Sequence, residues 1–235
     1  MNILVTGASK GIGKVIAQSL NELGNVYICS RNEDLLKQID CSGYFVCDLT
    51  NEQDLKNLEI YIKENKIDVL VNNAGEYIYS NIEDTDIEKL EHIISLNLKA
   101  PIYLMKSAVP HMKEQKFGRI INIGSISGVM GEAYASLYSA TKSGLIGLSK
   151  AAALELAQFG ITVNTINPGW VDTELGQDSI DSSEFSKEEI LSCIPQKRFV
   201  APSEIAGLIK YLISEDAKGI TGQSINLCAG LSVGI

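Results

Sequence analysis

Apolar positions along the chain follow two rhythms that alternate from end to end. Short runs rich in Ile, Val, Tyr and Phe fall at residues 3–6, 26–30, 44–47, 69–72, 119–123, 162–166 and 224–227, and these predict strands. Between them lie longer stretches with helical spacing, at 12–23, 33–39, 53–64, 87–112, 138–158 and 203–213. Strand, helix, strand in steady repetition predicts parallel pairing with helices over both sheet faces. Ile3-Leu4-Val5 and Val69-Leu70-Val71 carry no polar alternation, which suits central strands buried on both sides. No linker or internal repeat divides the chain, so residues 1–235 read as a single α/β domain with a doubly wound sheet. The polar stretch 176–184 breaks the rhythm and reads as a solvated loop or a lid, with a substrate loop expected around 170–200.

Composition adds exclusions. The 235 residues are 45% hydrophobic and 21% charged, as an ordinary packed core requires. A formal charge of −9 disfavours a nucleic-acid partner, which calls for a basic face. No apolar run approaches the ~18 residues of a membrane span, and the first residues carry no basic leader. Five cysteines without paired spacing, three of them in strand-like runs, predict reduced core thiols in a cytoplasmic protein and no metal site.

The first strand runs into Thr6-Gly7-Ala8-Ser9-Lys10-Gly11-Ile12-Gly13 and then a helix. Glycines allow a tight turn and close backbone approach, and the helix N-terminus offers free N–H groups to a pyrophosphate. Gly7, Ser9, Lys10, Gly11, Ile12 and Gly13 are therefore candidate cofactor contacts. With Asn72-Asn73-Ala74-Gly75, Asn97 in Leu-Asn-Leu, Ser125 in Ile-Gly-Ser, Tyr138-Ser-Ala-Thr-Lys142 and Pro168-Gly169-Trp170-Val171-Asp172-Thr173, the whole chain resembles the short-chain dehydrogenase/reductase family. The resemblance implies a single-domain Rossmann-type sheet of about seven parallel strands, a nicotinamide cofactor and a homotetramer. Its interfaces would use helices 87–112 and 138–158 and the C-terminal segment.

Tyr138 and Lys142 stand four residues apart on a predicted helix and so share a face. A tyrosine ionises near pH ~10, and poising it near neutrality takes ~4 kcal/mol. An ammonium about 4 Å away supplies that much at an effective dielectric of ~20. Tyr138 is then a candidate proton donor, with Lys142 lowering its pKa. A surface Tyr/Lys pair is the alternative. Ser125 closes a buried strand, where ligands of open α/β sheets bind, and can stabilise an oxyanion. The family resemblance adds Asn97, holding a water that links the lysine to solvent, and completes a tetrad with Ser125, Tyr138 and Lys142. His92 and His111 read as helix-surface residues, while Trp170 either walls the nicotinamide pocket or packs beneath its loop.

The second strand ends Ser30-Arg31-Asn32, without the acid that would bind a ribose 2′-hydroxyl. Arg31, with Lys10, can instead meet a 2′-phosphate, so NADP(H) is expected over NAD(H). By resemblance, Asp48 and Leu49 contact adenine, Asn73, Ala74 and Gly75 flank its ribose, and Thr173 reaches the carboxamide. Pro168, Gly169 and Val171 belong to the same stretch. The overall look is similar to 3-oxoacyl-[acyl-carrier-protein] reductases, which implies a carrier-bound ketone. Of the two basic positions by which those reductases dock an acidic carrier, Lys116 fills one and uncharged Phe159 the other. Another small-molecule ketone (a secondary metabolite, sugar or steroid) stays open, as does a silent dinucleotide sensor.

Overall fold

A computed structural model describes residues 1–174, 176, 180 and 186–233. Seven parallel strands form one sheet in the order β3-β2-β1-β4-β5-β6-β7. They are β1 (Asn2–Thr6), β2 (Asn25–Ser30), β3 (Gly43–Val46), β4 (Val69–Asn72), β5 (Gly118–Ile123), β6 (Ile161–Pro168) and β7 (Ser224–Leu227). All seven coincide with the expected runs to within a few residues.

The helices are α1 (Gly11–Leu20), α2 (Glu33–Leu36), α3 (Glu52–Glu64), α4 (Ile87–Ile94), α5 (Ala100–Gln115), α6 (Ser127–Met130), α7 (Ser136–Leu156), α8 (Lys187–Cys193) and α9 (Pro202–Ile213). Because side chains alternate along a strand, each central strand feeds two cores. Ile3, Val5, Val69 and Val71 join Ile16 and Leu20 of α1 and Ile205 and Ile209 of α9. Leu4 and Leu70 face the other way, onto Leu58 of α3, Leu104 and Met112 of α5, and Leu156 of α7. Helix starts follow local chemistry: Asn51 caps α3 and Asp86 caps α4 through side-chain oxygens.

Three expectations are corrected. The helix over 87–112 is interrupted by a π-helical turn, Ser95–Lys99, in which Ala100 N–H bonds to Ser95 O five residues back. Pro101 has no N–H, so the α ladder is already broken there. The helix over 33–39 stops at Leu36. Helices α6 and α8 were not expected, although Ser186 and Glu189 form a capping box legible as Ser-x-x-Glu. Most of the polar stretch 176–184, and part of the expected lid, lies outside the described residues. No described helix is long and apolar enough to cross a membrane, and the described residues contain no acid and thiol cluster able to hold a metal ion. Cys29, Cys47 and Cys228 are buried free thiols, and desolvation pushes Cys29 up to about 12.

The turn after β1 tolerates no side chain at Gly13. A Cβ there would stand 2.4 Å from the Gly7 carbonyl oxygen and 2.5 Å from Asn73 Nδ2. Gly13→Ala should lose about 1–3 kcal/mol, the usual cost of overpacking, read as a lower denaturation midpoint. An unchanged midpoint would mean that α1 does not pack this closely.

Candidate active site

One cleft of about 1310 Å³ opens along the carboxyl ends of β1, β2, β4, β5 and β6. It is lined by every candidate catalytic and cofactor residue named from the sequence except Asn97. Its floor is the turn after β1. Gly7 sits at φ +64°, and a Cβ on it would lie 2.8 Å from Ala74 Cα. Thr6 Oγ1 accepts from the N–H groups of Asn73 and Ala74, each at 3.0 Å. Asn73 Nδ2 in return donates to Thr6 O at 2.9 Å and Gly7 O at 3.2 Å. Asn73, expected at the adenine ribose, thus spends its amide on bracing the turn. Thr6, present in the motif but assigned no task, is the brace's other half.

Helix α1 has no side-chain cap and no acid in its first turn. Its leading N–H groups are left for an anion, and the glycines before it make room for one. Further along the cleft, Arg31 is exposed and forms no salt bridge among the described residues. Lys10, by contrast, is already paired with Glu174 at 2.9 Å. Partial burial works against the charge of Asp48, but the N–H and hydroxyl of Thr50, with Arg31 and His92 nearby, hold its carboxyl below the usual range.

At the other end stand Ser125, just past β5, and Tyr138 and Lys142 on one face of α7. Lys142 is 4% exposed, and its Nζ donates to Ile123 O at 2.8 Å. Close approach is possible because two neighbours are glycines. A Cβ on Gly128 would be 2.7 Å from Lys142 Cβ, and one on Gly75 would be 3.3 Å from Lys142 Nζ. Desolvation lowers Lys142 to about 8. Burial raises the Tyr138 phenol to about 12, with a hydrogen bond to Ser125 acting downward. The sequence had suggested a lowered phenol. The difference comes from burial of the phenol; Lys142 Nζ meanwhile donates to the strand carbonyl and lies 5.5 Å from the Tyr138 ring centroid.

Asn97 is fully buried in the π-helical turn. Its Oδ1 accepts from Glu76 N–H and its Nδ2 donates to Glu76 O, both at 2.9 Å, and Nδ2 also reaches Thr141 Oγ1 at 3.3 Å. It clamps the segment after β4 against α7, beside Gly75 and so beside Lys142. His92 lines the cleft and pairs with Glu76 at 3.0 Å, while His111 pairs with Asp68 at 3.2 Å, away from the cleft. Trp170 lines the cleft and stacks on Phe199 at 6.3 Å between ring centroids. Sequence reading missed Tyr77, Ser127 and Glu132. Tyr77 stands edge-on to Tyr138 at 5.0 Å between ring centroids.

A glycine-rich turn with an uncapped helix N-terminus at one end of a cleft, and a buried phenol with an ammonium at the other, suit a dinucleotide-dependent oxidoreductase. A family profile described as Enoyl-(Acyl carrier protein) reductase matches residues 7–232. The chain is 37% identical to a 3-oxoacyl-[acyl-carrier-protein] reductase of Rickettsia felis, covering 97% of this chain and 95% of that protein. It is 38% identical to an uncharacterized oxidoreductase of Bacillus subtilis, over 97% and 96%. Its fold superposes with a TM-score of 0.92 on a variant of actinorhodin polyketide ketoreductase solved with NADPH, at 35% identity over 99% and 97% of the two chains. The chain belongs to the short-chain dehydrogenase/reductase family.

Removing the Asn97 amide orphans two backbone groups of Glu76, at about 1–3 kcal/mol for each one left unsatisfied. Asn97→Ala should therefore accelerate hydrogen exchange at the Glu76 amide. Unchanged protection there would mean that the clamp is not what holds this segment.

Proposed function

We propose that the chain reduces a ketone to a secondary alcohol with NADPH, and that a 3-oxoacyl thioester is the substrate its relatives favour. The observation that carries this reading is the buried pair Tyr138 and Lys142 beside Ser125, at the far end of a cleft that begins with an uncapped helix N-terminus and an exposed arginine. The cradle suits a dinucleotide. The turn and first helical N–H groups would hold the pyrophosphate, Arg31 the 2′-phosphate, and Lys142 the nicotinamide ribose. Bound there, the cofactor supplies the hydride.

The protein's own part is to place and protonate the carbonyl. Ser125 holds the ketone oxygen beside Tyr138, where negative charge develops. Tyr138, a phenol held near 12, carries its proton at neutral pH and gives it to that oxygen. Lys142 sets a positive charge beneath the ring, and Asn97 keeps the adjoining segment fixed. A silent sensor would have no use for this arrangement.

The acyl group would arrive on an acidic carrier protein. Lys116 caps α5, and Lys113 Nζ sits over the Phe159 ring at 4.6 Å. The uncharged position therefore has a cation directly above it, which supports an acidic carrier partner despite the net charge of −9. The enzyme would work in the cytoplasm, as its reduced thiols suit, and as a homotetramer. Two residues of the expected small-residue surface, Ala152 and Ala153, pack inward. Leu154 is 84% exposed on α7 and Ile102 is 45% exposed on α5, an apolar cost that burial against a second copy would remove.

Three measurements test this reading. On a panel of 3-oxoacyl thioesters and other ketones, run with NADPH and NADH in parallel, Tyr138→Phe should cut turnover by roughly 10²–10⁴-fold, the usual share of general acid catalysis. Near-full turnover would remove Tyr138 from the mechanism. Arg31→Asp should weaken NADPH by roughly tenfold to a hundredfold, as expected on losing a charge-assisted bond, and leave NADH little changed. Equal use of both cofactors by the unaltered enzyme would refute the arginine's role. In sedimentation at micromolar concentration the protein should run as a tetramer and Leu154→Asp as a smaller species, whereas a monomeric unaltered chain would exclude the assembly.

A further inference from the structure

A carboxylate outside the expected tetrad, Glu132, stands half-buried at the carbonyl end of the cleft. Its Oε2 accepts from Ser127 Oγ at 2.5 Å and its Oε1 from Tyr77 OH at 2.8 Å. Ser127 is in turn bonded to Ser125, through its N–H and its hydroxyl, both at 3.1 Å from Ser125 Oγ. Glu132 is therefore two hydrogen bonds from Ser125 Oγ. Hydroxyl donors converging one on each oxygen suit an ionised carboxylate, which only accepts. Among the described residues no ion pair involves Glu132. The ammonium of Lys142 is spent on Ile123 O instead.

The segment that carries Glu132 is held in place. Gly131 at φ +79° and Tyr134 at φ +62° turn the chain back on itself. For a bulky tyrosine that conformation is strained, and it persists only where the surroundings fix it. Ser80 N–H donates to Tyr134 O at 2.7 Å, and the rings of Tyr79 and Tyr134 lie 5.3 Å apart. Together with the bond from Tyr77 to Glu132, these contacts tie the segment after β4 to the segment before α7. A carboxylate pinned this way does not swing aside for an incoming charge.

We propose that Glu132 is a specificity-determining residue: it rejects ketones that carry a free carboxylate beside the carbonyl, so that a 3-oxo acid is accepted only as its uncharged ester or thioester. This deepens the ketone-reductase reading and rests on it, with Ser125 holding the carbonyl oxygen. In a 3-oxo acid one methylene separates the ketone from the carboxylate, which would bring a second negative charge close to Glu132. Like charges about 8 Å apart, at an effective dielectric of ~20, weaken binding roughly thirtyfold. Esterification removes the charge and keeps the ketone. The device is a repulsion built against the wrong substrate rather than a contact made to the right one.

The test compares 3-oxobutanoate with its ethyl ester, using NADPH at low ionic strength. In the unaltered enzyme kcat/KM for the ester should exceed that for the acid by at least about tenfold, mainly through KM. Glu132→Gln keeps the shape and an acceptor for Tyr77 while removing the charge. It should raise kcat/KM for the acid by roughly tenfold to thirtyfold and change that for the ester far less, whereas Glu132→Asp should keep the preference. Taking the ratio between enzymes cancels the intrinsic reactivity of the two compounds. Salt at about 0.5 M should narrow the preference of the unaltered enzyme by screening and leave that of Glu132→Gln where it is. Equal use of acid and ester by the unaltered enzyme, a preference indifferent to salt, or a ratio that Glu132→Gln does not move would each overturn the proposal while leaving the reductase reading intact. If no ketone of either kind is reduced, the reductase reading itself fails, and this one with it.

Discussion

Between β1 and β4 the winding of the chain reverses, and the rest of the site depends on how that break is held. Strands run outward from β1 to β3 and then return to β4 on the opposite side. Loops leaving β1 and β4 consequently part, which opens a crevice at their carboxyl ends. An opening at the centre of a sheet needs a tie across it. Thr6 and Asn73 supply one, each using its side chain on the other's backbone. The tie draws the two loops so close that Gly7 and Gly13 have no space for a Cβ. A turn pinned in this way presents its N–H groups in a fixed array, ready for an anion without further ordering.

Burial explains the chemistry at the other end. Taking Lys142 and Tyr138 out of water disfavours the charged form of each, so the ammonium falls to about 8 and the phenol rises to about 12. Across neutral pH the lysine is charged and the tyrosine holds its proton, which is the state a donor to an alkoxide requires. The single carbonyl of Ile123 anchors the ammonium. The π-helical turn brings Asn97 inward to fix the segment beside it. Strand β5 thus supplies both the lysine's partner and, two residues later, Ser125.

Much of this was legible in sequence because it is written in local patterns. The strands announce themselves as unbroken apolar runs, and Tyr138 with Lys142 as a pair four apart on a helix. What stayed hidden depends on contacts between distant segments. Asn97 looked like a polar residue on a regular helix, and only the extra residue of the π turn aims it at Glu76. Glu132 carries no local signal in the sequence, and its link to Ser125 exists because α6 folds Ser127 back between them. The phenol's raised pKa comes from burial, which a pair spaced four apart on a helix does not reveal. Arg31 and Lys10 looked equivalent until Glu174 proved to be paired with one of them.

The central claim is that a protonated Tyr138 acts beside a charged Lys142, both buried at the end of one cleft. The pH profile of kcat/KM for ketone reduction with NADPH tests it most directly, since it reports the ionisations of the free enzyme. A lysine lowered to about 8 is charged below that pH and neutral above it, while a phenol near 12 keeps its proton throughout. The profile should be level through neutrality and fall as pH rises through about 8. A profile that instead climbs toward pH ~10, the ordinary range of tyrosine ionisation, would make the phenolate the working form and contradict the account.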